Sequence, residues 1–281
     1  DAEQFKKVGS IIKSDTSRRF VVPSAPGKRF SGDTKVTDML YSCYNAAQNG
    51  GDFDSVFAMV KYRFDSIIAG LGLSLDLSAE YEHIKWAILH HAGRDYAASR
   101  GEYLNGMILA EYLGYDFIDP ADYIKFCDDG SFDAETTNGI LSEEMKKHEN
   151  GVIPGFYGSH PNGTIRTFSR GGSDITGSIV ARAVYADLYE NWTDVNGFLM
   201  ADPRIVPGAK TIKYITYREL RELSYMGATV LHEDAIFPVR FAGIPVNIRN
   251  TNDVSDPGTM IVSHTDSYDS DDIITGVAGK K

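Results

Sequence analysis

Strand-like and helix-like patterns alternate along most of this chain, and that alternation restricts the fold more than any other feature. Short apolar runs at 20–22, 115–118, 151–155 and 244–248 are separated by segments with apolar residues at helical spacing, at 35–47, 53–69, 78–91, 100–113 and 135–147. Phe5, Val8, Ile11 and Ile12 line one face of an opening helix, and 217–226 and 232–241 read as two more, the second stopped by Gly243. Asn162-Gly163 predicts a hairpin pairing Phe156-Tyr157 with Ile165-Arg166-Thr167. Strands that return through helices run parallel and need cover on both faces. The expected fold class is α/β, a three-layer α/β/α sandwich with a mostly parallel open central sheet. Ligands of such sheets sit past the carboxyl ends of the strands. Ser24, Gly155, Arg170 and Thr193 all follow expected strands and can converge on one face.

The stretch 167–204 carries the densest candidate chemistry. Arg170-Gly171-Gly172-Ser173-Asp174 stands between a short strand and an apolar helix. Glycines there leave the first backbone N–H groups of the helix unobstructed, and such a start attracts anions. The plainer role of the same residues is a tight turn with Asp174 supporting the helix start. Ser99-Arg100-Gly101-Glu102 matches a capping box, which alone accounts for Ser99 and Glu102; the other role for Glu102 is to hold a substrate ammonium. Thr193-Asp194 and Asp202-Pro203-Arg204 fall in turns where such residues are common without any ligand. Gly27-Lys28 lacks the spacing of a Walker phosphate loop, and there is no serine-hydrolase elbow and no zinc-type histidine spacing, so no protein-held metal is expected.

A formal charge of −11 without clustered Lys and Arg argues against nucleic acid and against a membrane surface as partners. A polyphosphate accompanied by Mg²⁺ stays open. Cys43 and Cys127 stand far apart without metal-ligand spacing, as expected of reduced thiols, and no apolar run is long enough to span a bilayer, so the expected location is cytoplasmic. After Val262 the pattern dissolves into an acidic linker, SHTDSYDSDD, before a last short apolar run.

Several segments, in order, resemble the catalytic domain of bacterial aspartokinases, members of the amino acid kinase family: VVPSAPGKRFSGDTKVTDML at 21–40, Arg100-Gly101-Glu102, VIPGFYGS at 152–159, FSRGGSDIT at 168–176, ENWTDVNGFLMADPR at 190–204, and 219–238 around Gly227-Ala228-Thr229-Val230-Leu231-His232. The resemblance implies transfer of the ATP γ-phosphoryl group to the side-chain carboxylate of L-aspartate, with ATP and Mg²⁺ required, at the head of lysine, threonine and methionine synthesis. It assigns Arg170 to the substrate α-carboxylate and Glu102 to the α-ammonium. It has Ser24, Thr37 and Phe156 shape the amino-acid pocket, Gly171, Gly172 and Ser173 present the helix start, and Asp174 organise the reacting groups. Thr193, Asp194, Leu199 and Arg204 match nucleotide-contacting positions, as do Thr229, where many relatives have lysine, and Val230.

The resemblance further implies a catalytic domain at 1–262, with 263–281 a linker and the beginning of a regulatory ACT region. The intact protein is then a dimer or tetramer that binds lysine or threonine as feedback effector. Relatives also have a strand and a Lys-Phe-Gly-Gly loop before the point where this sequence begins; a polypeptide that lacked the loop is expected to be nearly inactive, whereas this sequence can also be part of a longer chain that has it. Two alternatives stay beside this reading: a sibling kinase acting on glutamate or N-acetylglutamate, and a ligand-binding module without turnover.

Overall fold

The computed structural model describes residues 1–169, 171–225, 231, 233–264 and 275–277. The chain forms two compact units, Asp1–Thr176 and Gly177–Lys281. In the first, α1 (Ala2–Lys13) is capped by Asp1, which accepts from the Gln4 N–H. It is followed by β1 (Phe20–Val21), α2 (Val36–Asn49), α3 (Phe53–Leu71), α4 (Ser78–Leu89), α5 (Arg94–Leu113), β2 (Asp116–Phe117), α6 (Pro120–Tyr123) and α7 (Ala134–Met145). Then come β3 (Gly151–Val152), β4 (Tyr157–Ser159), β5 (Ile165–Thr167) and α8 (Gly172–Ala183), within which the division between the units falls. Helices α2, α3 and α5 each end on a left-handed glycine, Gly50, Gly72 and Gly114, which frees the chain to turn without a Cβ penalty.

Strand β3 lies between β1 and β2 and is parallel to both, with Phe20 and Asp116 each opposite Gly151. The pairing continues beyond the short strands: Ile153 donates to the Val21 carbonyl and Gly155 to the Pro23 carbonyl. This continuation delivers the 23–25 and 153–156 segments together at the carboxyl end of the sheet. The expected hairpin forms with Tyr157 opposite Thr167 and a left-handed Gly163 at its turn. Val36, Leu40, Phe64, Ile84, Leu104, Ile108 and Val152 are fully buried in one apolar cluster drawn from α2, α3, α4, α5 and β3. Each such side chain contributes roughly 1.5–3 kcal/mol by leaving water.

Helix α5 is the central element of this unit, buried on nearly every side from Ala97 to Leu113. It starts at Arg94, earlier than expected, and this overturns the capping box at 99–102. Ser99 sits inside the helix and donates to the Tyr96 carbonyl at 2.8 Å, as mid-helix hydroxyls do, leaving Glu102 no backbone donor of a helix start to cover. A working box of the same pattern lies elsewhere: Thr216 and Glu219 bond each other's backbone N–H.

The second unit holds β6 (Tyr189–Thr193), β7 (Tyr214–Thr216), α9 (Tyr217–Tyr225), a 3₁₀ turn (Glu233–Ile236), α10 (Phe237–Ala242), β8 (Val246–Asn250) and β9 (Thr259–Val262). Its sheet runs β6-β8-β9-β7, with β6/β8 and β7/β9 parallel and β8/β9 antiparallel. Strand pairing is therefore mostly parallel in an α/β fold, as expected. The helix expected over 232–241 is shorter because Pro238 can enter only its first turn, so α10 begins at Phe237. Strands β7 and β9 are not among the apolar runs read as strands from the sequence. Of 263–281, residues 265–274 and 278–281 lie outside the described residues. Within 275–277, the Thr275 hydroxyl donates to Glu219 and the Val277 N–H to the Met200 carbonyl.

Candidate active site

In the first unit, four chain segments meet past the carboxyl end of the parallel strands. Asn105 of α5 donates to the Ser24 carbonyl at 2.8 Å. Gly101, one turn earlier, has no room for a side chain: a Cβ there would stand 2.9 Å from the Cβ of Ala25. Gly106 likewise admits Pro154, and Gly155 admits Ser173, whose Cα would be 2.8 Å from a Cβ at Gly155. The Phe156 N–H donates to the Thr176 hydroxyl, which in turn donates to the Gly172 carbonyl. Phe156 itself holds a φ of 84°, a conformation uncommon for a bulky residue and sustained only by such surroundings.

Thr37 belongs to the same neighbourhood. It is half-buried in the first turn of α2, next to Val36, whose N–H donates to the Pro26 carbonyl. The loop between Ser24 and Thr37 is held from below by Arg63 of α3, a buried guanidinium that bonds the Gly27 carbonyl, the Thr34 carbonyl and, at 2.8 Å, the carboxylate of Asp33. Arg29 completes a fork on Asp33 and holds its carboxyl well below the usual range. Breaking such a buried pair leaves an uncompensated charge, which makes the loop expensive to displace.

Glu102 is 6% exposed, and its Oε2 has no hydrogen-bond partner among the described residues. Burial pushes its carboxyl up to about 7, opposed by the Ala25 N–H and by the positive charge of Arg100. Arg100 is itself buried among the rings of Tyr96, Tyr103 and Tyr157, at 4.5, 4.5 and 5.1 Å, and bonds Ser99. A buried carboxylate with a free oxygen is a seat for a small cation. Against the 155–156 segment, the start of α8 follows Gly171, which is left-handed with φ 56°, and carries Asp174 in its first turn. Backbone donors at a helix start suit an anion.

The candidates of the second unit are built from exposed turns. Thr193 ends β6, and its hydroxyl accepts from the Val195 N–H; Asp194 is exposed. Leu199 bridges to Thr211 on an arm whose turn carries Asp202 and Arg204, an exposed ion pair at 2.6 Å that lowers the Asp202 carboxyl to about 2. Beneath them, Gly197 (φ 99°) lets the Thr259 hydroxyl reach the Phe198 N–H at 2.9 Å. Among the described residues no three His, Cys, Asp or Glu side chains gather as a metal ligand set, and no helix is long and apolar enough to cross a membrane.

The model of the amino acid kinase family matches residues 1–250. The chain belongs to that family. It is 38% identical over 279 residues to aspartokinase 3 of Bacillus subtilis, covering 94% of this chain and 61% of that protein. The crystal structure of an aspartate kinase from Clostridium acetobutylicum superimposes with a TM-score of 0.94 at 55% identity, over 99% of this chain and 64% of that one. Escherichia coli aspartokinase III, solved with aspartate and ADP, gives a TM-score of 0.80 at 25% identity, over 95% and 63% of the two chains. The chain thus spans somewhat under two thirds of the length of these relatives. The fold is the amino acid kinase α/β fold.

Of the residues expected from sequence, Ser24, Thr37, Glu102, Phe156, Gly171, Gly172 and Ser173 lie on segments that pack directly on one another or adjoin such a segment, in the first unit. Thr193, Asp194, Leu199 and Arg204 lie in the second. Arg170, Thr229 and Val230 fall outside the described residues. The sequence reading passed over Asn105 and Thr176, and named Gly155 only as a position past an expected strand, where it indeed meets Ser173. Asn105 was visible as a polar residue three positions from Glu102 in an apolar helix, while Thr176 matters through contacts between distant segments, which spacing does not reveal.

Proposed function

We propose that residues 1–262 form the catalytic domain of an aspartate kinase, transferring the γ-phosphoryl group of ATP to the side-chain carboxylate of L-aspartate. The observation that carries this is the buried, half-unpartnered carboxylate of Glu102 beside the Ser24 loop, in a chain whose relatives are aspartokinases. Glu102 takes the α-ammonium and Arg170 the α-carboxylate, while Ser24, Thr37 and the Phe156 ring shape the space for the side chain. The backbone of Gly171, Gly172 and Ser173 faces the transferring phosphoryl group, and Asp174 orders the reacting groups. Thr193, Asp194, Leu199, Arg204, Thr229 and Val230 serve the nucleotide.

The acceptor oxygen of aspartate is already ionised, so it attacks the γ-phosphorus without a general base. The new carboxylate O–P bond forms as the bond to the β–γ bridging oxygen breaks, and ADP leaves with that electron pair. Alignment and charge compensation supply the rate. Mg²⁺ enters as part of the nucleotide substrate, since it keeps much of its hydration and needs few protein carboxylates; Asp174 is the carboxylate at the helix start.

A cytoplasmic homo-oligomer, and a regulatory region that begins within 263–281 and binds lysine or threonine, complete this reading. The test is to incubate the full-length protein with ATP, Mg²⁺, L-aspartate and hydroxylamine and to assay aspartyl hydroxamate. Product above the aspartate-free control is expected, with glutamate and N-acetylglutamate poorer acceptors. No product from aspartate overturns the reading, and binding of both substrates without product leaves a module without turnover.

A further inference from the structure

Two side chains on one face of α5 keep polar atoms unpartnered in the protein interior. Glu102 and Asn105 are three residues apart, hence on the same face, and are 6% and 7% exposed. Among the described residues Glu102 Oε2 and Asn105 Oδ1 have no hydrogen-bond partner. Both lie by the Ser24–Ala25 peptide group. Asn105 Nδ2 donates to the Ser24 carbonyl at 2.8 Å, and the Ala25 N–H favours the Glu102 carboxylate. That carbonyl and that N–H are the two edges of the Ser24–Ala25 peptide, which point in opposite directions because the bond is trans. Helix α5 therefore holds this peptide by its carbonyl, and Gly101 lets Ala25 lie against the helix beside Glu102. The grip also fixes the amide: with Nδ2 on the carbonyl, the unpartnered atom must be the acceptor Oδ1.

A buried acceptor without a donor costs roughly 1–3 kcal/mol, so two on one helix face call for a ligand that supplies several donors. We propose that Asn105 is a positioning and specificity residue of the amino-acid site: it holds the Ser24 peptide in place and offers Oδ1 as a second, uncharged acceptor for the substrate ammonium beside Glu102. The proposal deepens the aspartate reading above and rests on it. A primary ammonium carries three N–H donors and can serve both acceptors at once. An N-acylated amino acid has a single N–H and would leave one acceptor buried and unpaired, a defect that costs far more discrimination than a missing methylene. A neutral amide also suits this position better than a second carboxylate, whose charge would oppose that of Glu102.

The test compares affinities of the full-length protein for L-aspartate and for succinate, which keeps both carboxylates and lacks the amine. Wild type is set against Asn105→Leu, which keeps the shape, and Asn105→Ala, which cannot overpack. Retained ATP affinity, within about twofold of wild type, identifies a folded variant, because distant sites act independently. Releasing the Ser24 peptide weakens both ligands alike, whereas loss of the second acceptor weakens aspartate alone. The expected result is a fall in the aspartate-to-succinate affinity ratio of about ten- to a hundredfold, the worth of one hydrogen bond to a charged group. A ratio that stays at the wild-type value in whichever variant retains ATP binding overturns the proposal, as does wild type that fails to bind aspartate. The hydroxamate assay on wild type separates the two readings. Aspartate binding with the expected ratio change but no hydroxamate supports the role of Asn105 and rejects turnover; hydroxamate with an unchanged ratio does the reverse.

Discussion

The candidate residues of the two compact units are made in opposite ways. Around Glu102 the chain places buried charge, an unpartnered acceptor, closely opposed backbones and a bulky residue at positive φ. Around Thr193 and Arg204 it places exposed turn residues whose polar groups are satisfied by neighbours two positions away. Under the proposed function, the contrast matches what each side recognises. A small zwitterion offers few atoms, so selecting it demands desolvated groups that punish a wrong ligand. A nucleotide offers many, and shallow, exposed contacts suffice.

If that contrast is right, substitutions on the two sides differ in kind as well as size. The largest effect is expected for Glu102→Gln, which should weaken aspartate binding by at least about a hundredfold in calorimetry, since it removes one partner of a desolvated ion pair. The same change should stabilise the ligand-free protein. Burial raises this carboxyl from 4.5 to about 7, so the folded state resists its ionisation. Below 4.5 wild type and variant unfold alike, the gain grows between 4.5 and about 7, and above that it reaches up to about 3 kcal/mol in thermal or denaturant unfolding. A variant that loses both affinity and stability at pH 8 would contradict this account.

Next comes Gly172→Ala, whose Cβ would lie 3.0 Å from the Phe156 Cα. Forcing those backbones apart is expected to cost about 1–3 kcal/mol in a urea titration and to weaken aspartate more than ATP. Third, aspartate affinity should rise about tenfold per pH unit up to about 7 and level off above it, because Glu102 must shed its proton to accept the ammonium. A pH-independent affinity between 5 and 8 would remove Glu102 from that role. The smallest effect belongs to Arg204→Ala: a rise in KM for ATP of roughly threefold, with the unfolding midpoint unmoved, as for most exposed ion pairs. A large loss of aspartate affinity here would erase the distinction between the two sides.

The same distinction explains what the sequence could reveal. The mostly parallel α/β fold was legible because strand and helix periodicities are local properties, and the hairpin at 157–167 because Asn162-Gly163 encodes its own turn. The pattern Ser99-x-x-Glu102 misled because a capping box is defined by where a helix begins, and α5 begins at Arg94, in a stretch whose N-cap Gly93 has no side chain to announce it. Glu102 stands out in the sequence through its resemblance to a motif, yet its electrostatics come from burial, which only the fold supplies, opposed by the Ala25 N–H, 77 residues away in sequence, and by Arg100. Thr176 gave no signal and Gly155 only that of a strand end, since only the fold sets 155–156 against 172–176.

That last contact has a mechanical consequence. Gly155 faces the backbone of Ser173 while Gly172 faces the backbone of Phe156, and the Thr176 hydroxyl bridges the two sides of this joint. Parts keyed together in this manner lose the freedom to slide and keep only the freedom to travel as one. A shift of the first turn of α8 therefore carries the Phe156 backbone with it.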